Sequence, residues 1–177
     1  MKKKIPVREN GSAVTQIVLM AAILVFVIMP VFSAVIEKYI LMEKARIIRD
    51  SVDMTNISAY NALSGTELGK VRVDAERSDI LEIYRQMLSV NLRLNDDLEP
   101  KPDSVAEGRV EVLSLEICSS GFPVQCPEGV TIMRPTVHSS IRVPVRPSLY
   151  RSIILKMLGR EYVDIIVHAD TEIPVNN

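Results

Sequence analysis

The sequence predicts an α+β protein in which a long N-terminal helix packs on a small antiparallel sheet. Two observations carry this prediction. An uncharged apolar run extends from Ile17 to Ile36, and the hydrophobic period changes from helical to alternating beyond Arg109. We divide the chain into a basic leader (1–14), a transmembrane helix (15–36), an amphipathic continuation of that helix (37–64) and an extracytoplasmic α+β domain (65–177).

The apolar run is long enough to cross a bilayer, because about 20 helical residues span the ~30 Å hydrocarbon core. Positive charge before the run favours a cytoplasmic N-terminus and a single-pass protein of the cell membrane; the leader cations are Lys2, Lys3, Lys4 and Arg8. A cleaved secretory signal is the alternative. Against it, the run exceeds the usual signal core, and Phe32-Ser33-Ala34 places an aromatic residue where cleavage needs a small one.

The helix is predicted to continue beyond the span as an amphipathic rod. Apolar residues recur there at helical spacing on one face: Leu41, Ala45, Ile48, Val52, Ala59 and Leu63. The pair Ser64-Gly65 offers a stop. Pro30 lacks an amide donor, so we expect a kink within the membrane.

The rest of the domain is predicted to hold a second helix, several strands and a third, short helix. Asp79 and Glu82 form a capping box at the start of the second helix. The predicted elements are a helix over 79–94, strands over 109–117, 130–133, 137–145 and 163–170, and a helix over 149–158. Pro144 favours an edge strand or a strand end.

The two cysteines, Cys118 and Cys126, enclose a short turn-forming segment, SSGFPVQ. Outside the cytoplasm this spacing favours a disulfide that closes a small loop; two reduced thiols are the alternative. We predict no metal site, because the spacing is not CxxC and only His138 and His168 are available to complete one. Both histidines fall on the less apolar faces of predicted strands, which favours surface positions.

Composition argues against several functional classes. The formal net charge is −1, and without the leader's four cations and one acid the remainder has 17 basic against 21 acidic residues. This excludes a basic surface for nucleic acid. Nucleophile, zinc-protease and phosphate-loop motifs are absent from the sequence, so we predict a protein that is not an enzyme and has no cofactor.

The junction of leader and span reads Gly11-Ser12-Ala13-Val14-Thr15-Gln16 before the apolar run. This junction resembles the processing site of type IV pilin-like proteins, in which a prepilin peptidase cuts after a glycine. With its proline-containing apolar helix and β-rich tail, the chain is most similar to TadE-like minor pilins or pseudopilins of tight-adherence (Flp) systems. The resemblance implies processing between Gly11 and Ser12, and partners among pilin-like subunits, the pilus assembly platform and the lipid bilayer.

One departure concerns the residue five positions after the cleavage point. Pilin-like proteins usually carry a glutamate there, whereas this chain has Gln16. A glutamine cannot neutralise the amine of a neighbouring subunit, and an unpaired carboxylate in lipid would be costly. The resemblance therefore implies a minor subunit or assembly factor rather than a major pilin.

Three functional hypotheses follow. The first is a structural subunit or assembly factor of an adhesion pilus or secretion filament. The second is a single-pass, membrane-tethered binding or sensory domain whose leader is not processed. The third, an anchored enzyme, has the least support in the sequence.

Overall fold

The structure, a computed structural model, describes residues 10–66, 77–118 and 120–173. A long N-terminal helix packs on a three-stranded antiparallel sheet, which confirms the predicted α+β fold. The leader cations and the segment between residues 67 and 76 lie outside the described residues.

The long helix consists of α1 (Asn10–Ile23), a π-helical turn (Leu24–Ile28) and α2 (Met29–Thr66). Its 57 residues correspond to a rod of about 85 Å. The boundaries drawn from the sequence after residues 14 and 36 therefore fall inside one continuous helix.

The π-helical turn explains how the helix accommodates Pro30. A proline in a regular α-helix clashes with the carbonyl four residues earlier and leaves it without a donor. Here the turn directly before the proline is widened, and the Met29 amide donates to the Leu24 carbonyl five residues back. Such π-bulges are an established site of helix bending.

The C-terminal half of α2 packs against the rest of the protein through the predicted stripe. Ile48 and Val52 are fully buried, and Ala59 is nearly so. The core beneath them includes Tyr84 and Leu88 of helix α3 (Arg77–Asn91), so α3 and the sheet cover the same stripe.

The main sheet has the strand order β1-β4-β5. Its strands are β1 (Glu111–Cys118), β4 (Thr136–Val145) and β5 (Val163–Glu172), and all pairs are antiparallel. A separate hairpin of β2 (Val124–Gln125) and β3 (Thr131–Ile132) lies between β1 and β4 in sequence. Helix α4 (Leu149–Met157) connects β4 to β5 and contacts α2.

Pro144 lies at the end of the central strand and not on an edge strand. The pairing of β1 with β4 ends at Glu111, opposite Arg142. On that side the Pro144 carbonyl instead accepts a hydrogen bond from the Glu107 amide at 2.9 Å. The missing amide of the proline therefore interrupts no ladder bond with β1, and the strand-end alternative is the correct one.

A buried polar network joins α2 to the sheet within this core. The Asn56 side-chain amide donates to the Thr171 hydroxyl at 2.8 Å and to the Val137 carbonyl at 3.3 Å. The Ser139 hydroxyl donates to Asn56 Oδ1 at 2.8 Å. Asn56 is fully buried, so these bonds replace the water that the side chain loses on folding.

Candidate functional site

From Ile17 to Met29 the long helix is apolar and exposed around its whole circumference. Consecutive helical residues point about 100° apart, so any four in succession sample every direction. Ile17, Val18, Leu19 and Met20 are each more than 60% exposed. A helix that is apolar on all sides needs an apolar environment on all sides.

The exposed area is too large to be left in water. From Val14 to Ile36, sixteen large apolar side chains are at least 46% exposed. At about 1.5–3 kcal/mol for each side chain fully removed from water, covering them is worth on the order of 20–30 kcal/mol. That exceeds the whole folding stability of a typical domain, about 5–15 kcal/mol.

Among the described residues, one helix is long and apolar enough to span a membrane, and it is this one. Only 6% of its most apolar 18-residue window is buried. The core helix of a water-soluble protein would be mostly buried, so this helix differs from a core helix and is compatible with a single-pass membrane anchor.

The predicted processing residues lie at the start of this helix. Gly11 and Ser12 are in the first turn of α1. Gln16 follows one turn later, and its side chain is exposed. The described residues of the domain therefore leave the helix surface around Gln16 uncovered.

A second apolar surface lies on α4. Ile153, Ile154, Met157 and Leu158 are all more than half exposed. Because α4 contacts α2, this surface belongs to the side of the domain that packs on the long helix.

The opposite face of the sheet from α2 carries a cluster of ionisable residues that the sequence reading missed. Strand register places His138 opposite Asp170 and Ser140 opposite His168. Side chains of alternate residues share a face, so both histidines and Asp170 lie on one surface. The loop between β2 and β3 contributes Cys126 and Glu128 to the same cluster.

The side chains of Asp170 and His168 lie within hydrogen-bonding distance of the His138 ring. His138 Nδ1 lies 2.8 Å from Asp170 Oδ1 and 3.2 Å from His168 Nε2. His168 Nε2 is also 3.0 Å from Asp170 Oδ2. The His138 ring is fully buried and that of His168 is partly exposed, which corrects the prediction of two surface histidines. The hairpin loop covers the sheet face that the alternation pattern indicated to be open.

The other ring nitrogen of His138 has its own partners. His138 Nε2 lies 3.0 Å from Glu128 Oε2 and 3.2 Å from the Ser114 hydroxyl. A buried imidazole with carboxylates at both nitrogens is held in one orientation.

Both cysteines are free thiols in this structure, so the disulfide predicted between Cys118 and Cys126 is corrected here. Cys126 is buried, and its sulfur accepts a hydrogen bond from the Val130 amide at 3.3 Å. Burial, followed by the nearby Glu116 and Asp170 carboxylates, raises the pKa of the Cys118 thiol.

The structure brings together a set of potential metal ligands that sequence spacing alone does not indicate. Cys126, His138, His168 and Asp170 each offer a ligand atom, and all four atoms lie within 4.8 Å of one another. These residues come from three separate segments of the chain, so a local motif could not reveal the set. The available signal was the matching position of His138 and Asp170 on two strands that pair.

A polar groove of about 530 Å³ opens elsewhere on the domain, lined by charged residues that include Arg85, Arg109, Asp96 and Asp97. The Asn95 side chain accepts hydrogen bonds from the Asp97 and Glu99 amides. These two hydrogen bonds to the Asn95 side chain hold the acidic turn in a defined conformation.

Comparison with known protein families, with curated proteins and with solved structures finds no match to this chain.

Proposed function

We propose that this protein is a membrane-anchored, pilin-like structural subunit or assembly factor, of the minor pilin or pseudopilin kind, in an adhesion pilus or secretion filament. The observation that carries the proposal is the exposed apolar helix, which continues without a break into the outer domain. Such a helix can be covered by lipid before assembly and by the helices of other subunits after it.

Two sequence features support this role over that of a plain anchor. Gly11-Ser12 stands four residues before the apolar run, in a junction that resembles the processing sites of type IV pilin-like proteins. Gln16 cannot form the charge pair expected of a major pilin, which favours a minor subunit. The leader cations favour a cytoplasmic N-terminus and an extracytoplasmic domain.

The apolar surface of α4 supports a position of the domain close to the bilayer. An amphipathic helix beside a span can place its apolar face at the boundary between headgroups and acyl chains. Arg151 and Lys156 are exposed on the same helix and can reach the headgroup region.

Site-specific photocrosslinking tests the proposal. A benzophenone amino acid replaces Phe26, which is 78% exposed on the inner helix, and adducts are identified by mass spectrometry of the native membranes. We expect peptides from the apolar N-terminal helix of another pilin-like chain. Adducts with lipid alone would contradict an assembly role. Met54, 62% exposed on the outer half, is the matched position outside the predicted span.

The alternative is a membrane-tethered binding or sensory domain. The groove beside Arg85 and Arg109 is the feature that favours it, because a concave site lined by charged residues of both signs can hold a polar ligand. We would favour this alternative if charge-reversal substitutions in the groove abolished the protein's function but left leader processing and crosslinking of the apolar helix unchanged.

A further inference from the structure

We propose that Cys126, His138, His168 and Asp170 bind one zinc ion, which fastens the loop between β2 and β3 to the main sheet. This site is independent of the proposed function, since it lies on the sheet face away from the long helix. The ion would serve the fold of the outer domain whatever that domain contacts.

The donor atoms of His138, His168 and Asp170 lie at nearly the spacing of a coordination sphere. Zinc–nitrogen bonds of about 2.0–2.1 Å in a tetrahedron place neighbouring ligand atoms about 3.3 Å apart. His138 Nδ1 and His168 Nε2 are separated by 3.2 Å. The two Asp170 oxygens lie 2.8 and 3.0 Å from these nitrogens. With every pair of the four donors within 4.8 Å, side-chain shifts of about 1 Å suffice to close the set around one ion.

The position of Glu128 gives a second argument. Glu128 Oε2 lies 3.0 Å from His138 Nε2, whereas His168 and Asp170 lie at the other ring nitrogen, Nδ1. A metal-bound histidine whose other nitrogen donates to a carboxylate is the usual arrangement at zinc sites.

The donor set favours zinc over cations that prefer oxygen ligands. One thiolate, two imidazoles and one carboxylate are all ligands of zinc, whereas calcium and magnesium require oxygen ligands. Four protein ligands leave no position for a substrate, as in structural zinc sites. His138 is fully buried and Cys126 is 4% exposed, which also fits a closed site.

A bound ion would join the hairpin of β2 and β3 to the main sheet. Among the described elements, the hairpin strands β2 and β3 pair with each other but make no extensive contact with the helices or the main sheet. Cys126 lies in the connection between these strands, and His138, His168 and Asp170 lie on β4 and β5. A shared ion would link the two sheets directly.

Metal binding to the full-length protein in detergent micelles tests the proposal. The protein is reduced, stripped with a chelator, supplied with Zn²⁺ without oxygen, passed through a desalting column and analysed for bound metal. We expect one zinc per chain. With Co²⁺ in its place, we expect the near-ultraviolet charge-transfer band of a cobalt–thiolate bond and the visible bands of tetrahedral Co²⁺.

Variants separate this site from adventitious binding. Cys126→Ser should lose the charge-transfer band, and His168→Gln should weaken zinc binding at least about 100-fold, more than the loss of an outer partner. Glu128→Gln should weaken binding roughly 10-fold, because it removes only such a partner. Cys118→Ser is the control and should keep full stoichiometry and the same spectrum.

The proposal is overturned if the folded wild-type protein retains substoichiometric zinc. It is also overturned if the cobalt spectrum lacks the thiolate band, or if Cys118→Ser removes the metal as effectively as Cys126→Ser. Circular dichroism of each variant checks the fold. If Cys126→Ser does not fold, the wild-type cobalt spectrum still tests whether a cysteine thiolate binds the metal.

Discussion

Truncation of Ile48 tests the packing of the outer domain on the long helix. Ile48 is fully buried within the core, whereas its neighbour Ile47 is 45% exposed on the same helix. Truncation of a buried isoleucine to alanine costs about 2–5 kcal/mol through lost burial and the cavity that remains. We expect Ile48→Ala to lower the free energy of unfolding by about 3 kcal/mol, and Ile47→Ala by less than about 1 kcal/mol.

Pulse proteolysis across a urea series measures this difference on the full-length protein in micelles. With a slope of about 2 kcal/mol per molar urea for a domain of this size, Ile48→Ala should move the midpoint by roughly 1.5 M. The Ile47→Ala midpoint should move by less than about 0.5 M. The two substitutions remove the same atoms at adjacent positions, so helix propensity cancels. Equal shifts would refute the assignment of Ile48 to the core between α2 and the rest of the domain.

Three further predictions follow from the core and the helix start. Burial raises the pKa of Tyr84 to about 12. Above pH 10 the phenol ionises in the unfolded protein before it ionises in the folded one, and this favours unfolding. The free energy of unfolding should therefore be unaffected by Tyr84 below pH 10 and should fall by about 2–3 kcal/mol between pH 10 and 12. Urea midpoints at pH 8 and 11 should therefore differ less in Tyr84→Phe than in the wild type, and an unchanged difference would contradict the burial. Asn56→Ala should cost about 2–4 kcal/mol, because it leaves the Ser139 hydroxyl and the Val137 carbonyl without their partner, with the exposed Ile57→Ala as control; a loss no greater than that of the control would refute the network. Gly11→Leu should block leader removal and incorporation into filaments, as seen on immunoblots of membranes and sheared filaments, and normal processing of this variant would count against pilin-type assembly.

The helical half of the architecture was predictable because its signals are local. The apolar run needs no partner to be recognised, and the stripe through Ile48 and Val52 has the period of one helix face. The structure confirms both the continuity of the helix and the burial of that stripe. The sequence predicted a kink at Pro30 but not the π-helical turn before it, because a proline indicates only that the helix departs from regular α-helical geometry.

The candidate metal site was not predictable because it depends on strand register and on a loop. Alternation along β4 assigns His138 to a polar face, but it cannot show that the segment between β1 and β4 folds back over that face. The register that places His138 opposite Asp170 is a property of the folded sheet. Cys126 was interpreted through its nearest cysteine in sequence, whereas its neighbours in space include two histidines and Asp170.

The identity of the mature N-terminus tests the proposed function most directly. The native protein is isolated from membranes, and its intact mass and N-terminal peptide are determined by mass spectrometry. The account predicts a chain that begins at Ser12, with Gly11 and the basic leader removed. A chain that begins at Met1 would contradict pilin-type processing and would favour a tethered binding domain.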